Sequence, residues 1–358
     1  TLQRPTPAQA WASIELQLNQ GPINASTAEE AVRTQVSSAR RYIDTVVMSR
    51  WANDVTNGTD AAKARSDLQT FADAMERITG DAFFTYELAV VDRLSAADAK
   101  RYAQAYLQFA AAYRFFEQDA LTQAAAAAKL AQVDLRAIGS NYALLGDIVI
   151  AAAAYYAPDY ATAESLLAAA QSTAESRRAW FAAGRAAWLR GMTAFSSGRL
   201  DDSQSHYEHT LAVFERIGDV EQATSAHSLL AALFFAMGDK GAEWQHRQLA
   251  LAGLTVTTSP RAQYVVLAST AASVRFDDPA AALVIQDAAM TAATHSGRVA
   301  AAADLMAQRA STLISLERLN EARSTIETAR RNLNSISDAS LRRLLELPVL
   351  MAESDLLR

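Results

Sequence analysis

Two stretches of the chain, LRGMTAFSSGRLDDSQSHYEHTL at 189–211 and ASTLISLERLNEARSTIETARRNL at 310–333, share one pattern: an apolar helix, a turn, then an amphipathic helix. The pattern recurs about every 40 residues, the size of one helical hairpin, which is too small to bury its own apolar face. Neighbouring copies have to bury it, so the chain must stack hairpins in a row. Composition points the same way. Hydrophobic residues, with Ala prominent, make up 51%, and Gly (13) and Pro (7) are scarce. Ala is the strongest helix former and Gly and Pro the main breakers, so long helices are favoured. Few runs alternate β-branched residues with polar ones, which argues against a sheet.

The landmarks repeat. At 189–211, Gly191 lets two helices approach, Gly198 ends the first helix, Leu200 opens the second and Tyr207 fills the core. At 310–333 the equivalents are Ala310, Glu317, Leu319 with Ala322, and Ile326 with Ala329. Stepping about 40 residues finds the other units: one at 141–176 with Ala151, Tyr160, Ala163, Leu167 and Ala170, and one at 220–253 with Ala231, Gly238 and Ala250. A unit at 260–296 turns at Asp277-Asp278-Pro279, and a weaker one at 99–138 contains the run Ala124–Ala128. About six hairpins therefore occupy 99–336. Between units, Gly218-Asp219 closes one helix and caps the next.

The flanks are less regular. Residues 1–98 read as a divergent helical region: Pro5 and Pro7 open it, Trp11–Leu18 is amphipathic and Gly21-Pro22 breaks it. Ser26 with Glu29 has capping-box spacing and predicts a long helix to Trp51. Asn57-Gly58 is a turn, Asp60 caps a helix closed by Gly80, another runs over 81–93, and Ser95 with Asp98 caps the next. Residues 337–358 predict a last helix that Pro348 should kink or end near Leu347. Its apolar run Leu344, Leu345, Leu347, Val349, Leu350, Met351 suits a chain that leads into a further domain, or one that self-associates.

Net charge is −6, and the balance offers no concentrated positive face for nucleic acid. The pairs Arg330-Arg331 and Arg342-Arg343 read as solvated helix surface. With no Cys, thiolate nucleophiles, disulfides and Cys-ligated metals are excluded from this chain. No apolar run is long enough to span a bilayer and no leader is visible, so no membrane contact and a cytoplasmic location are expected, with a leader trimmed from this chain, which lacks an initiator Met, as the alternative. His206 and His209 lie three apart around Glu208, not four apart as in the zinc-protease helix, and no metal is expected there. No phosphate loop or nucleophile elbow occurs, and Asp201-Asp202 and Asp277-Asp278 read as helix-start carboxylates. Neither an enzyme activity nor a cofactor is expected.

The spacing of small residue, turn and second-helix core residue resembles the tetratricopeptide repeat over about two thirds of the chain. It departs from that family in its longer period, in lacking the proline that closes each unit, and in showing the first-helix Trp only as Trp188. The resemblance implies an all-α fold, a right-handed superhelix of antiparallel helix hairpins, that binds a protein or peptide in its concave groove. By register the groove residues would be Tyr155, Tyr156, Arg185, Trp188, Met192, Phe195 and Phe235. An aromatic groove with one Arg suits an extended peptide or amphipathic helix. The Lys and Asn clamp used by chaperone-tail binders of this fold is missing. These aromatics are equally suited to packing against the N-terminal helices or an adjacent domain.

A narrower resemblance lies at 238–358. GDKGAEWQHRQLALAGL, ALVIQDAAMTAATHSG and LISLERLNEARSTIETARRNLNSISDASLRR are similar to repeats that precede CHAT domains, caspase-like proteases and their relatives, in bacterial proteins. It implies a recognition or regulatory region, with the protease beyond Arg358 since this chain has no Cys. A sensor region of a bacterial signalling ATPase or transcription regulator, or a purely structural spacer or oligomerising arm, are the alternatives.

Overall fold

The computed structural model describes residues 6–357, so Pro5 and Arg358 lie outside it. Its described residues are helices and turns, with no strand among them. The N-terminal helices are α1 (Pro7–Gln20), α2 (Ala25–Thr34), α3 (Val36–Tyr42), α4 (Ser49–Asn57), α5 (Ala62–Thr79) and α6 (Phe83–Val91). Six hairpins follow: α7 (Ala96–Glu117) with α8 (Leu121–Ile138), α9 (Tyr142–Tyr156) with α10 (Tyr160–Ser176), α11 (Trp180–Ser196) with α12 (Leu200–Arg216), α13 (Val220–Met237) with α14 (Lys240–Gly253), α15 (Pro260–Val274) with α16 (Pro279–His295), and α17 (Val299–Ser315) with α18 (Leu319–Ser335). A single helix, α19 (Ala339–Leu356), ends the described chain.

The turns carry the repeat in their backbone. Asp119, Gly139, Arg178, Gly198, Gly218, Gly238, Gly297 and Glu317 all hold positive φ, and each follows a helix. A left-handed residue there turns the chain sharply enough to start the next helix at once. The side chains between the turns behave as their spacing demands: Ala151, Ala163, Leu167, Tyr207, Ala231, Ala250, Ala310, Ala322, Ile326 and Ala329 are all buried. Gly191 is required by contact rather than by φ. A Cβ there would lie 2.4 Å from the Tyr207 ring, and one at Gly184 would lie 2.8 Å from Phe214.

Two local expectations are corrected and a third is narrowed. Asn24, not Ser26, caps α2, its Oδ1 accepting from the Thr27 amide at 3.0 Å. Glu29 instead pairs with Arg77 at 2.5 Å and Arg33 at 3.5 Å. The helix expected to run to Trp51 breaks at Gln35, which is extended, and then widens into a π turn over Ile43–Met48. Pro348 does not end α19, which continues to Leu356. The missing N–H removes one ladder bond, and the flanking turns hold the helix.

The chain divides into two compact units. The first comprises the chain up to Arg114 with Gln123–Tyr155 and Asp159–Ala223. The second comprises Phe115–Thr122, Tyr156–Pro158 and the chain from Thr224 on. The first unit is centred on aromatics: Tyr142 meets Phe83 and Tyr106 edge-on at centroid distances of 5.2 and 4.8 Å. The Tyr142 hydroxyl donates to Asp44 Oδ1 at 2.7 Å and Tyr106 donates to the Asp44 carbonyl, which fixes the π turn. In the second unit Asp338 caps α19 with one carboxylate oxygen and accepts from the Thr122 amide and hydroxyl with the other, at 2.8 and 2.7 Å. Arg298 donates through Nε to Asp119 at 2.8 Å.

Candidate functional site

The candidate surface is built on α11, in the first unit. Most of this helix is made of small residues: Ala182, Ala183, Gly184, Ala186, Ala187, Gly191 and Ala194 are all buried. Small side chains let α12 lay Phe214 and Tyr207 directly on the α11 backbone. The larger residues Arg185, Trp188, Met192 and Phe195 are spaced three or four apart, so they form one stripe on the remaining face. All four are half-buried or exposed, and Phe195 is 38% exposed. The Arg185 guanidinium lies 5.1 Å from the Trp188 ring centroid, a cation–π contact that presents a flat aromatic and a positive charge side by side. Arg190 is not part of this stripe, because Glu164 and Gln171 of α10 hold it at 2.7 to 2.9 Å.

Tyr155 joins the stripe at its far end. Its hydroxyl is 3.0 Å from Ser196 Oγ, beside Phe195 in sequence, and its ring meets Tyr160 at 5.9 Å. The first unit therefore holds Tyr155, Arg185, Trp188, Met192 and Phe195. Tyr156 and Phe235 belong to the second unit. Phe235 is 40% exposed and stacks at 5.8 Å on Phe276, which is 64% exposed and was not singled out in the sequence. Spacing could have found Phe276, because it sits one repeat after Phe235 at the close of its own first helix.

What aims α11 is a group that sequence reasoning passed over. Asp81 is buried and accepts from the Phe83 amide at 3.1 Å and from the Trp180 and Phe181 amides at 3.0 and 3.2 Å. One carboxylate thus caps the starts of both α6 and α11, where unpaired amides and the helix dipole favour negative charge. Arg40 of α3 donates to it at 3.3 Å and lies between the rings of Phe83, Phe84 and Phe181, at 4.2, 4.7 and 4.0 Å. Burial raises the Asp81 pKa, and Arg40 and the three amides oppose that shift. Ser37 adds a second tie, donating to Asp219 at 2.8 Å. Burial pushes Asp219 up to about 6.

His206 and His209 do not converge on one point. His209 Nε2 faces Glu175 at 3.0 Å, while burial and Arg190 lower His206. Among the described residues, no helix is long and apolar enough to cross a membrane.

No family model and no curated protein match this sequence. Solved structures do match the fold. One is the Rap conjugation gene regulator of the plasmid pLS20 in complex with a Phr peptide: 12% identity, TM-score 0.53, covering 88% of this chain and 96% of that one. Another is a Rap protein complexed with competence and sporulation factor: 10% identity, TM-score 0.51, covering 98% of each. At such identity the likeness is one of fold. The chain has an all-α fold of tetratricopeptide type, built from antiparallel helix hairpins.

Proposed function

We propose that this chain is a non-enzymatic protein-interaction scaffold that holds an extended peptide or amphipathic helix against the α11 stripe. The observation that carries this reading is the stripe itself. Arg185, Trp188, Met192 and Phe195 form one stripe on a helix whose opposite face is built largely of small buried residues, and a buried carboxylate caps the start of that helix. Trp and Arg anchors backed by a fixed scaffold are what short-segment recognition needs. Two proteins of similar fold were solved in complex with a Phr peptide and with competence and sporulation factor, which supports the same use here. Tyr156 and Phe235 are candidates for a comparable contact in the second unit.

The test starts from a peptide selected on the immobilised chain from a displayed library. The double substitution Trp188→Ala with Phe195→Ala should weaken its binding at least about tenfold, ~1.4 kcal/mol, while the helical circular dichroism is kept. Unchanged affinity would remove the stripe from the reading.

In context, the chain would be the recognition or regulatory region of a larger bacterial protein such as a CHAT-domain protease. The similarity of 238–358 to CHAT-associated repeats supports this. An open reading frame past Arg358 that encodes a His and a downstream Cys would strengthen it. A stop codon there would leave a free-standing adaptor. One observation favours a second reading, an oligomerising arm: α19 exposes Leu344, Leu347, Leu350 and Met351 at 45 to 62%. Sedimentation that shifts with concentration, and no longer does so in Leu347→Glu, would select it.

A further inference from the structure

In the second unit, Asp304 of α17 is a carboxylate with no counter-charge. It lies fourteen residues before Arg318, the N-cap of α18, as Arg185 lies fourteen before Arg199, the N-cap of α12. It therefore holds in its own hairpin the place that Arg185 holds in the α11 stripe. Tyr264 of α15 stands the same distance before Asp278, the N-cap of α16. Tyr264 packs against the apolar cluster of Ala268, Ala289 and Leu305, and Leu305 is the neighbour of Asp304 in sequence. Burial raises the Tyr264 hydroxyl, and Asp304 is the charge that adds most to that shift.

Asp304 and Tyr264 are both half-buried, so solvent still reaches them. The Gln308 amide donates to Asp304 Oδ2 at 2.9 Å, and Oδ1 holds no hydrogen bond among the described residues. Burial raises Asp304, and only the Gln308 hydrogen bond opposes it, with no cation acting on the carboxylate. The arginines of the same hairpin are engaged elsewhere. Arg309 pairs with Asp287 at 2.8 Å, and Arg298 donates through Nε to Asp119 at 2.8 Å. Asp119 is 5% exposed, yet its Oδ2 has no donor, and neither has the buried Oε1 of Gln308. Asp119, Arg298 and Tyr156 also act on the Tyr264 hydroxyl, so two carboxylates and one arginine surround this ring.

The cluster is thus short of donors and of positive charge. A carboxylate that has lost water without gaining a partner is destabilised, and a bound cation removes that penalty. A tyrosine ring beside it adds cation–π attraction for an ammonium or guanidinium group. Calcium needs six or more oxygen ligands, and among the described residues no group of three or more His, Cys, Asp or Glu is placed to hold a metal. An anion would be repelled. The chemistry that fits is an organic cation on an alkyl stem, whose methylenes lie along the ring while its N–H groups meet Asp304.

We propose that Asp304, Gln308 and Tyr264 form a site for an alkylguanidinium or alkylammonium group, carried by an arginine or lysine of a peptide or by a free amine. Asp304 takes the charge at Oδ1, Gln308 holds Oδ2, and the Tyr264 ring lies alongside. The site is separate from the α11 stripe, which belongs to the first unit. The test titrates the full chain at low salt, by saturation-transfer-difference NMR, with acetyl-Ala-Arg-Ala-amide, its lysine and citrulline counterparts, and agmatine. The arginine and lysine peptides should bind, and the citrulline peptide, of the same shape but uncharged, should not. Asp304→Asn should weaken the arginine peptide at least about tenfold. Asp73→Asn, at an exposed carboxylate of the first unit, and the Trp188→Ala with Phe195→Ala pair should leave it unchanged. Tighter binding of the arginine peptide than of agmatine assigns the site to a peptide side chain, and the reverse assigns it to a free amine. Equal binding of the citrulline peptide, or no loss in Asp304→Asn, overturns the site. Should Asp304→Asn fail to fold, nuclear Overhauser contacts between the arginine methylenes and the Tyr264 ring of the unsubstituted chain decide. Their presence supports the assignment and their absence overturns it.

Discussion

Gly191 and Glu87 show how single residues set limits on this fold. The Tyr207 ring occupies the space a Cβ at 191 would need, at 2.4 Å. Gly191→Ala should therefore destabilise the chain by about 1–3 kcal/mol despite the better helix propensity of Ala. Urea denaturation would show it as a lower midpoint at constant slope. The role of Gly191 was readable because it recurs as a small residue in every unit. Glu87 was not, since nothing in sequence distance links it to Ser140 and Asn141. Its buried carboxylate accepts from Ser140 Oγ at 2.7 Å and from Tyr102 and the Asn141 amide. Burial pushes it from 4.5 to about 7. A folded value above the unfolded one stabilises fully below 4.5, and that contribution is lost as pH rises towards 7. Asp219, pushed to about 6, acts in the same direction. His206 and His227, held low by burial, act in the opposite direction below about 6.5, so the carboxylate contribution is read by comparison: the melting temperature at pH 5.5 relative to pH 8 should be lower in Glu87→Gln than in the unsubstituted chain. An unchanged difference between the two pH values in Glu87→Gln would contradict this.

At the scale of elements, the turns separate what sequence can show from what it cannot. Where glycine holds the left-handed position, as at Gly198, Gly218 and Gly238, the turn was evident from residue type alone. Glu317 holds the same conformation at φ 57°, and only its register with Gly198 revealed it. A side chain in that region costs roughly 1–2 kcal/mol that glycine avoids, partly offset by the greater freedom of glycine in the unfolded chain. Glu317→Gly should stabilise by up to about 1 kcal/mol, and Gly198→Ala should destabilise by a similar amount. Thermal melts of the two variants, moving in opposite directions, are the check. The N-terminal elements were harder to place. The π turn over Ile43–Met48 is held at Asp44 by tertiary partners, Tyr106 and Tyr142, that lie far away in sequence. Helical periodicity carries no trace of a single added residue per turn.

At the scale of the whole chain, the repeats were legible and the joint between the N-terminal helices and the repeats was not. The stripe on α11 could be proposed from register. The group that aims it could not, because Arg40, Asp81 and Trp180 meet only in three dimensions. Arg40 has 3% of its side chain exposed and pairs with Asp81 at 1%. Removing one member of such a buried pair leaves the other charge without its partner, a loss of about 3–5 kcal/mol. The three amides that still cap Asp81 place Arg40→Ala at the lower end of that range. Arg40 also fills the space between three aromatic rings, so Arg40→Met, which keeps the bulk, should lose less than Arg40→Ala. Hydrogen exchange would locate the damage. Protection should fall in the segments around Arg40, Asp81 and Trp180, which meet at this joint. Segments of α15 to α18, in the second unit, should keep theirs. Loss spread evenly over both units would mean that they open together, and Arg40 would then act on the chain as a whole rather than on the placement of α11.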